Sequence, residues 1–232
     1  PDSRALQVAI QCGEYICRHV RFDEKGDQLP LTGLSHGAAG FVWAWTELAD
    51  ATGQDRFYQA ARKALDFERT HFIPDENNWA DLRHTTLNRE TPVYWCHGAP
   101  GIGLSRLMID GLLEDRHIRS EREIAMKKTL AEGFGRGHSL CHGDFGNLEF
   151  LLLCAKRNGK KDLEQHCLNL GYHSMKQGLK HGWRFGLHEK AELLGFMLGL
   201  SGIGYGLLRL WNPSLPCVLT LELPRNSTQE VK

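Results

Sequence analysis

The sequence predicts an all-α protein made of repeated helix pairs, one helix of each pair buried and the other at the surface. Three observations carry this. Four glycine-centred turns each open an apolar stretch about ten residues long, amphipathic charged segments at helical spacing lie between them, and strand signals are weak everywhere except near the C-terminus.

The opening segment "SRALQVAIQCGEYICRHV" is amphipathic and reads as a first outer helix. "GLSHGAAGFVWAW" from residue 33 follows as the first glycine turn and inner helix, and "QDRFYQAARKALDFERTHF" from 54 as the next outer helix. In that outer helix Phe57, Ala61, Ala64, Leu65 and Phe67 alternate with Arg62, Lys63, Asp66, Glu68 and Arg69, which places the charged set toward solvent. "YWCHGAPGIGLSR" from 94, "SEREIAMKKTLAEGF" from 120, "LCHGDFGNLEFLLL" from 140, "KDLEQHCLNLGYHSMKQGLKHG" from 161 and "GLSGIGYGLLRLW" from 199 continue the alternation. The centre of "NLEFLLLCAKR" is apolar on nearly every side, as a fully packed helix requires. The shared glycines are taken as Gly37, Gly98, Gly143 and Gly202, at intervals of 61, 45 and 59 residues. Glycine suits such a turn because it allows special backbone angles and close approach of a neighbour. "PCVLTLELP" at 216 to 224 is expected to be an extended tail between prolines.

Composition excludes several functional classes. With 28 basic and 28 acidic residues the net charge points to neither nucleic acid nor a membrane surface, and no apolar run reaches the roughly 18 residues of a membrane span. The 41% hydrophobic content over 232 residues is enough for a folded core. Seven scattered cysteines do not resemble a secreted disulfide framework, so a reducing, cytoplasmic setting is expected. The first residues carry neither a start methionine nor a signal peptide, which suggests a piece of a longer chain.

The chemistry concentrates in the repeated Cys-His-Gly. Cys96, Cys141 and His142 sit just before glycine turns in two copies of the repeat, and an array that brings those turns to one end would supply three N and S donors suited to tetrahedral zinc. Three protein ligands would leave one position open, the pattern of a catalytic site, although His97, His138 and His36 remain candidates for a fourth ligand. The competing reading is buried structural cysteines beside satisfied histidines. His36 occupies the equivalent turn of the first copy, where Ser-His-Gly replaces Cys-His-Gly, and an imidazole there suits general acid or base work. Cys12, Cys17, Cys154, Cys167 and Cys217 read as small apolar thiols, and Asp144 and Glu149 as helix N-terminal charges or partners of the site.

"GLSHGAAG", "WCHGAPGIG", "LCHGDFGN" and "GLSGIGYGLLRL", in that order, resemble the lanthionine synthetase C-like cyclases over essentially the whole chain. "CHGDFGNLEF" and the terminal "VLTLELP" look most like the C-terminal cyclase domain of a class II lanthipeptide synthetase. The resemblance implies an α/α toroid with inner and outer rings, of which residues 1–232 would cover roughly the C-terminal four of seven hairpins as one truncated domain. It implies Zn2+ held by Cys96, Cys141 and His142, with His36 handling protons while a cysteine thiolate of a dehydrated precursor peptide adds to dehydroalanine or dehydrobutyrine. The implied partners are that peptide and a dehydratase domain upstream in the same polypeptide, with no nucleic acid and no membrane span.

Two departures from the family pattern stand out. The acidic partner of the family histidine would fall before residue 1, and the arginine and tyrosine flanking the first zinc cysteine in free-standing cyclases are replaced by Pro92 and His97. The alternatives are addition of glutathione to dehydroamino acids, as in eukaryotic members, and a zinc-stabilised helical scaffold that binds peptide without catalysis. A toroid glycosidase would need two carboxylates facing across a cavity, and no glycine turn offers such a pair.

Overall fold

The computed structural model describes residues 3–22, 30–83, 91–185 and 193–224. Among them are eight α-helices and a two-stranded hairpin, so the all-α expectation holds. The chain divides into two compact units, Pro1–Glu132 and Gly133–Lys232.

The first unit contains α1 (Ser3–His19), α2 (Ala38–Thr52), α3 (Asp55–Thr70), α4 (Ala99–Ile109) and α5 (Ile118–Glu132). Helix α2 packs on α3 and α4, and α4 on α5. The predicted inner stretches are the buried ones: every residue of α4 except Met108 is buried, and α2 buries Ala38, Ala39, Val42, Trp45, Leu48 and Ala49. Pro100 is tolerated in α4 because it lies in the first turn, where no intrahelical partner awaits its missing N–H. Helix α3 supplies Phe57, Ala61, Ala64, Leu65 and Phe67 to the same core. Fully burying such a phenylalanine or leucine is worth about 1.5–3 kcal/mol.

A hairpin unread in the sequence follows α3. Strands β1 (Phe72–Ile73) and β2 (Asn78–Trp79) pair antiparallel around a one-turn 3-10 helix, Pro74–Glu76, closed by Asn77 at φ 50. Asparagine adopts this left-handed conformation more readily than most residues. The hairpin has a positioning role, because the Asn78 amide donates at 3.0 Å to the carbonyls of both Thr91 and Pro92, just upstream of the first Cys-His-Gly turn.

The second unit contains α6 (Asp144–Arg157), α7 (Lys161–His181) and α8 (Leu200–Trp211). Helix α6 packs against both others and is buried from Asp144 through Leu151, in keeping with its all-round apolar sequence. The expected extended tail is corrected. Val218–Thr220 form a 3-10 turn ending at Leu221 in the left-handed region, because the Cys217 carbonyl accepts the N–H groups of Thr220 and Glu222 and the Thr220 hydroxyl. Arg209 of α8 donates to both Glu149 carboxylate oxygens at 2.8 Å and to the Leu215 carbonyl, fastening this segment to α6 and α8.

The structure also corrects the register of the fourth repeat. Helix α8 opens after Gly199, as α2, α4 and α6 open after Gly37, Gly98 and Gly143. Gly199 and Gly202 thus match Gly37 and Gly40, or Gly98 and Gly101. The packing shows why: a Cβ on Gly40, Gly101 or Gly202 would lie under 3.0 Å from the carbonyl oxygen of Leu34, Trp95 or Phe196, in each case six residues earlier. Substituting alanine at Gly101 or Gly202 should therefore cost about 1–3 kcal/mol, as overpacking does. Gly204→Ala meets nothing within 4 Å and should gain about 0.5–1 kcal/mol from helix propensity. Urea unfolding of the three variants checks both signs.

His138, a possible fourth ligand in the sequence reading, is bonded to Arg184 within the second unit. Its backbone N–H donates to the Arg184 carbonyl at 2.8 Å, and its ring Nδ1 accepts the Arg184 backbone N–H at 2.9 Å. Burial, with the Arg184 charge adding to it, pushes the imidazole down to about 4. The unfolded chain therefore binds a proton that the folded unit refuses between about pH 6.5 and about 4. Stability should fall as pH drops through that window. His138→Gln, measured by urea unfolding at several pH values, should flatten that dependence.

Candidate metal centre and acid–base site

Each unit presents one Cys-His-Gly turn at the start of an inner helix. In the first unit the turn is Tyr94–Gly98, closed by the Tyr94 N–H donating to the His97 carbonyl at 3.1 Å, with Gly98 at φ 93. Cys96 is buried. Its carbonyl accepts the N–H groups of Leu34 at 3.1 Å and Ser35 at 3.2 Å, so the loop that carries His36 is bonded directly to the cysteine. Gly33, at φ 93, makes this approach possible, since a Cβ there would sit 3.0 Å from the Cys96 carbonyl oxygen and the His97 Cα.

The imidazoles of His36 and His97 stack with centroids 5.9 Å apart, His36 open to solvent and His97 buried. Burial, helped by the Arg83 charge, holds His97 down at about 4, so it is neutral at pH 7. Asp81 lies nearby: burial pushes its carboxyl up, but the Arg83 guanidinium and N–H outweigh this and keep it ionised. The unit thus gathers Cys96, His97 and His36, as their shared place in the repeat predicts.

Beneath the His36 loop lies a group that the sequence reading placed among the solvent-facing residues. Glu68 of α3 is fully buried. Its Oε1 accepts the Gly33 N–H at 2.9 Å and the Ala39 N–H at 3.2 Å, and its Oε2 accepts Arg106 Nη2 at 2.8 Å. Burial raises the carboxyl, and the Arg106 charge and the Gly33 N–H oppose it. Arg106 Nε also donates to Glu121 at 2.7 Å, and Glu121 accepts Arg69, which binds both Asp115 oxygens at 2.8 Å. A signal was present, because Glu68 continues the buried face of Phe57, Ala61, Ala64 and Leu65.

In the second unit Cys141 and His142 occupy the turn before α6. The Cys141 N–H donates to the Met197 carbonyl at 2.9 Å, and the His142 N–H to Ser139 Oγ at 3.2 Å. Asp144 is the first residue of α6, where a carboxylate suits the helix dipole. It accepts the Gly135 N–H at 3.0 Å and the Ser174 hydroxyl at 2.5 Å. Glu149 is neither a helix-terminal charge nor part of the turn; it is the mid-helix partner of Arg209. Cys154, Cys167 and Cys217 are buried thiols, as expected, whereas Cys12 is exposed and Cys17 half-buried.

The donors suit a thiophilic divalent ion. Cys96 and Cys141 each lie just ahead of an inner helix, where the helix N-terminus favours a thiolate, and two thiolates with one imidazole are a zinc-type set. No helix among the described residues is long and apolar enough to cross a membrane.

Comparison with known proteins agrees with this organisation. The chain is 27% identical over 191 residues to the lacticin 481/lactococcin biosynthesis protein of Lactococcus lactis subsp. lactis, covering 77% of this chain and 20% of that protein. It is 28% identical over 215 residues to glutathione S-transferase LANCL1 of Danio rerio, covering 82% of this chain and 48% of the relative. The chain thus spans half or less of these relatives. Nisin cyclase shares the fold, with a TM-score of 0.64 at 19% identity over 79% of this chain and 47% of that one, so the helices belong to a helical toroid architecture. Residues 2–223 match the family model for lanthionine synthetase C-like proteins, and the chain belongs to that family.

Proposed function

We propose that the chain is part of a zinc-dependent cyclase that closes thioether rings in a dehydrated precursor peptide, with Cys96, Cys141 and His142 as the zinc ligands and His36 as the proton-handling group. Support comes from the family, from the lantibiotic biosynthesis relative and from the donor set. The observation that supports the reading is that Leu34 and Ser35 of the His36 loop donate their N–H groups to the Cys96 carbonyl, which joins that loop to the turn carrying a candidate zinc ligand.

Zinc, when bound, would supply the positive charge that keeps a thiol deprotonated near neutral pH. His36 accepts the proton a substrate thiol gives up, or returns one. The sulfur forms a bond to the β-carbon of the dehydroamino acid, the double-bond electron pair moves to the α-carbon, and a proton delivered there completes the ring. One proton leaves sulfur and one reaches carbon, so the peptide keeps its mass. Neutral His97 keeps a second positive charge away from the His36 ring. Both reacting groups lie on one peptide, so holding it beside these residues supplies the proximity the addition needs. The peptide would arrive from a dehydratase domain of the same polypeptide, in the cytoplasm.

A second reading has its own observation, the similarity to a glutathione S-transferase. There the thiol would come from glutathione and the product would gain its mass. Incubating dehydrated peptide with and without glutathione separates the two by mass spectrometry. Cyclisation leaves the mass unchanged and removes alkylatable thiols.

The full-length protein should bind about one zinc per chain by metal analysis. Cys141→Ala should keep the helical circular dichroism and lose ring closure by more than the roughly 10–100-fold typical of removing an outer partner of a metal site. Folded protein with intact cysteines and no zinc would refute the assignment, and unfolding of Cys141→Ala would favour the non-catalytic scaffold.

A further inference from the structure

We propose that Glu68 is the positioning residue of the acid–base site, a buried clamp that fixes the loop carrying His36 and, through it, the Cys96 turn. The inference rests on the reading of His36 given above.

The geometry is specific to the loop. Gly33 and Ala39, whose N–H groups Glu68 Oε1 accepts, lie three residues on either side of His36. One oxygen thus grips both ends of the segment that displays the imidazole. Within the segment, Leu34 and Ser35 donate to the Cys96 carbonyl, so a shift of the loop moves the histidine and the cysteine turn together. The other oxygen is held by Arg106 of α4, the helix that the Cys96 turn opens. Next to it Ser105 Oγ donates to the Ala39 carbonyl at 2.7 Å, tying the same loop end to the same helix.

An ion pair needed only to hold α3 against α4 would not have to spend its second oxygen on two loop amides. The carboxylate is also the only form that satisfies every neighbour. Gly33, Ala39 and Arg106 all present donors to Glu68, and a glutamine would turn its own NH2 donor toward at least one of them.

The test uses the full-length protein. Glu68→Gln removes the charge and one acceptor. The double variant Glu68→Gln/Arg106→Met removes both charges, which preserves folds better than leaving one buried charge alone. Ring-closure kcat and KM are measured per zinc-loaded molecule, together with hydrogen exchange of the Gly33 and Ala39 amides. Both variants should keep zinc and KM within about twofold, lose kcat by about 10²-fold as small misplacements do, and exchange both amides faster. Glu68→Asp, which keeps the charge but draws the oxygens back, should fall between wild type and Glu68→Gln.

A merely structural pair predicts something else: a lower thermal midpoint and less zinc-loaded protein, with wild-type kcat per loaded molecule. That result in either variant, or unchanged exchange at Gly33 and Ala39, overturns the proposal. His36→Ala keeps the two readings apart. If His36→Ala is fully active, the reading of His36 fails, and amide exchange still decides the clamp. If His36→Ala is inactive while Glu68→Gln retains kcat, the clamp fails and the reading of His36 stands.

Discussion

The inner helices α2, α4 and α8 each begin where the backbone passes so near a carbonyl six residues upstream that no side-chain carbon fits between them, as Gly40, Gly101 and Gly202 show against Leu34, Trp95 and Phe196. This close approach folds the preceding residues into a tight turn at the head of the helix. It also sets which residues share a place. Ser35 and His36, Cys96 and His97, Cys141 and His142, and Met197 and Leu198 each stand directly ahead of the first glycine of a step. Different side chains occupy those places, while the glycines permit the close approach that shapes each turn.

The repeats are joined through the same position. In the first unit the Ser35 N–H donates to the Cys96 carbonyl, and in the second the Cys141 N–H donates to the Met197 carbonyl. In both, one copy of the repeat gives its amide to the matching carbonyl of the next. A backbone bond is indifferent to side-chain type, so serine, two cysteines and methionine can fill the position while the turns stay registered. The repeat supplies the frame, and the side chains at the shared position are free to differ, as in other repeat architectures.

The interior of each unit carries an ion pair between two helices. Glu68 and Arg106 are both fully buried in the first unit, and Glu149 and Arg209 nearly so in the second. Leaving one member alone in such surroundings would cost several kcal/mol, so the pairs constrain how their helices sit even where they add little net stability. Their second contacts differ in consequence. Arg209 fastens the segment after α8, whereas Glu68 fastens the loop that displays His36. Both pairs join two helices, and each also holds a loop, the segment after α8 in one unit and the His36 loop in the other.

Helical periodicity, the glycine steps and the paired Cys-His-Gly turns were legible in the sequence because each follows from neighbours along the chain. So was the grouping of His36 with Cys96, which their matched places in the repeat imply. Local pattern failed where several patterns were equally good or where a distant atom decided. The run from Gly199 to Gly206 contains glycines at several spacings, and the approach of the Leu193 carbonyl to Gly199 and of the Phe196 carbonyl to Gly202 selects that pair. The apolar alternation of "VLTLEL" suits a strand, but the Cys217 carbonyl captures its amides first and bends it into a turn. Glu68 looked like one of the charged outer residues of α3 because its partners lie 29 to 38 residues away on a loop and another helix. The sequence by itself determined the helices, their order and which side chains stand at their heads, since these depend on local geometry and residue type. Tertiary structure alone decided which carbonyl a glycine passes, which amides a buried carboxylate holds and so where His36 is kept, because those depend on atoms far apart in the chain.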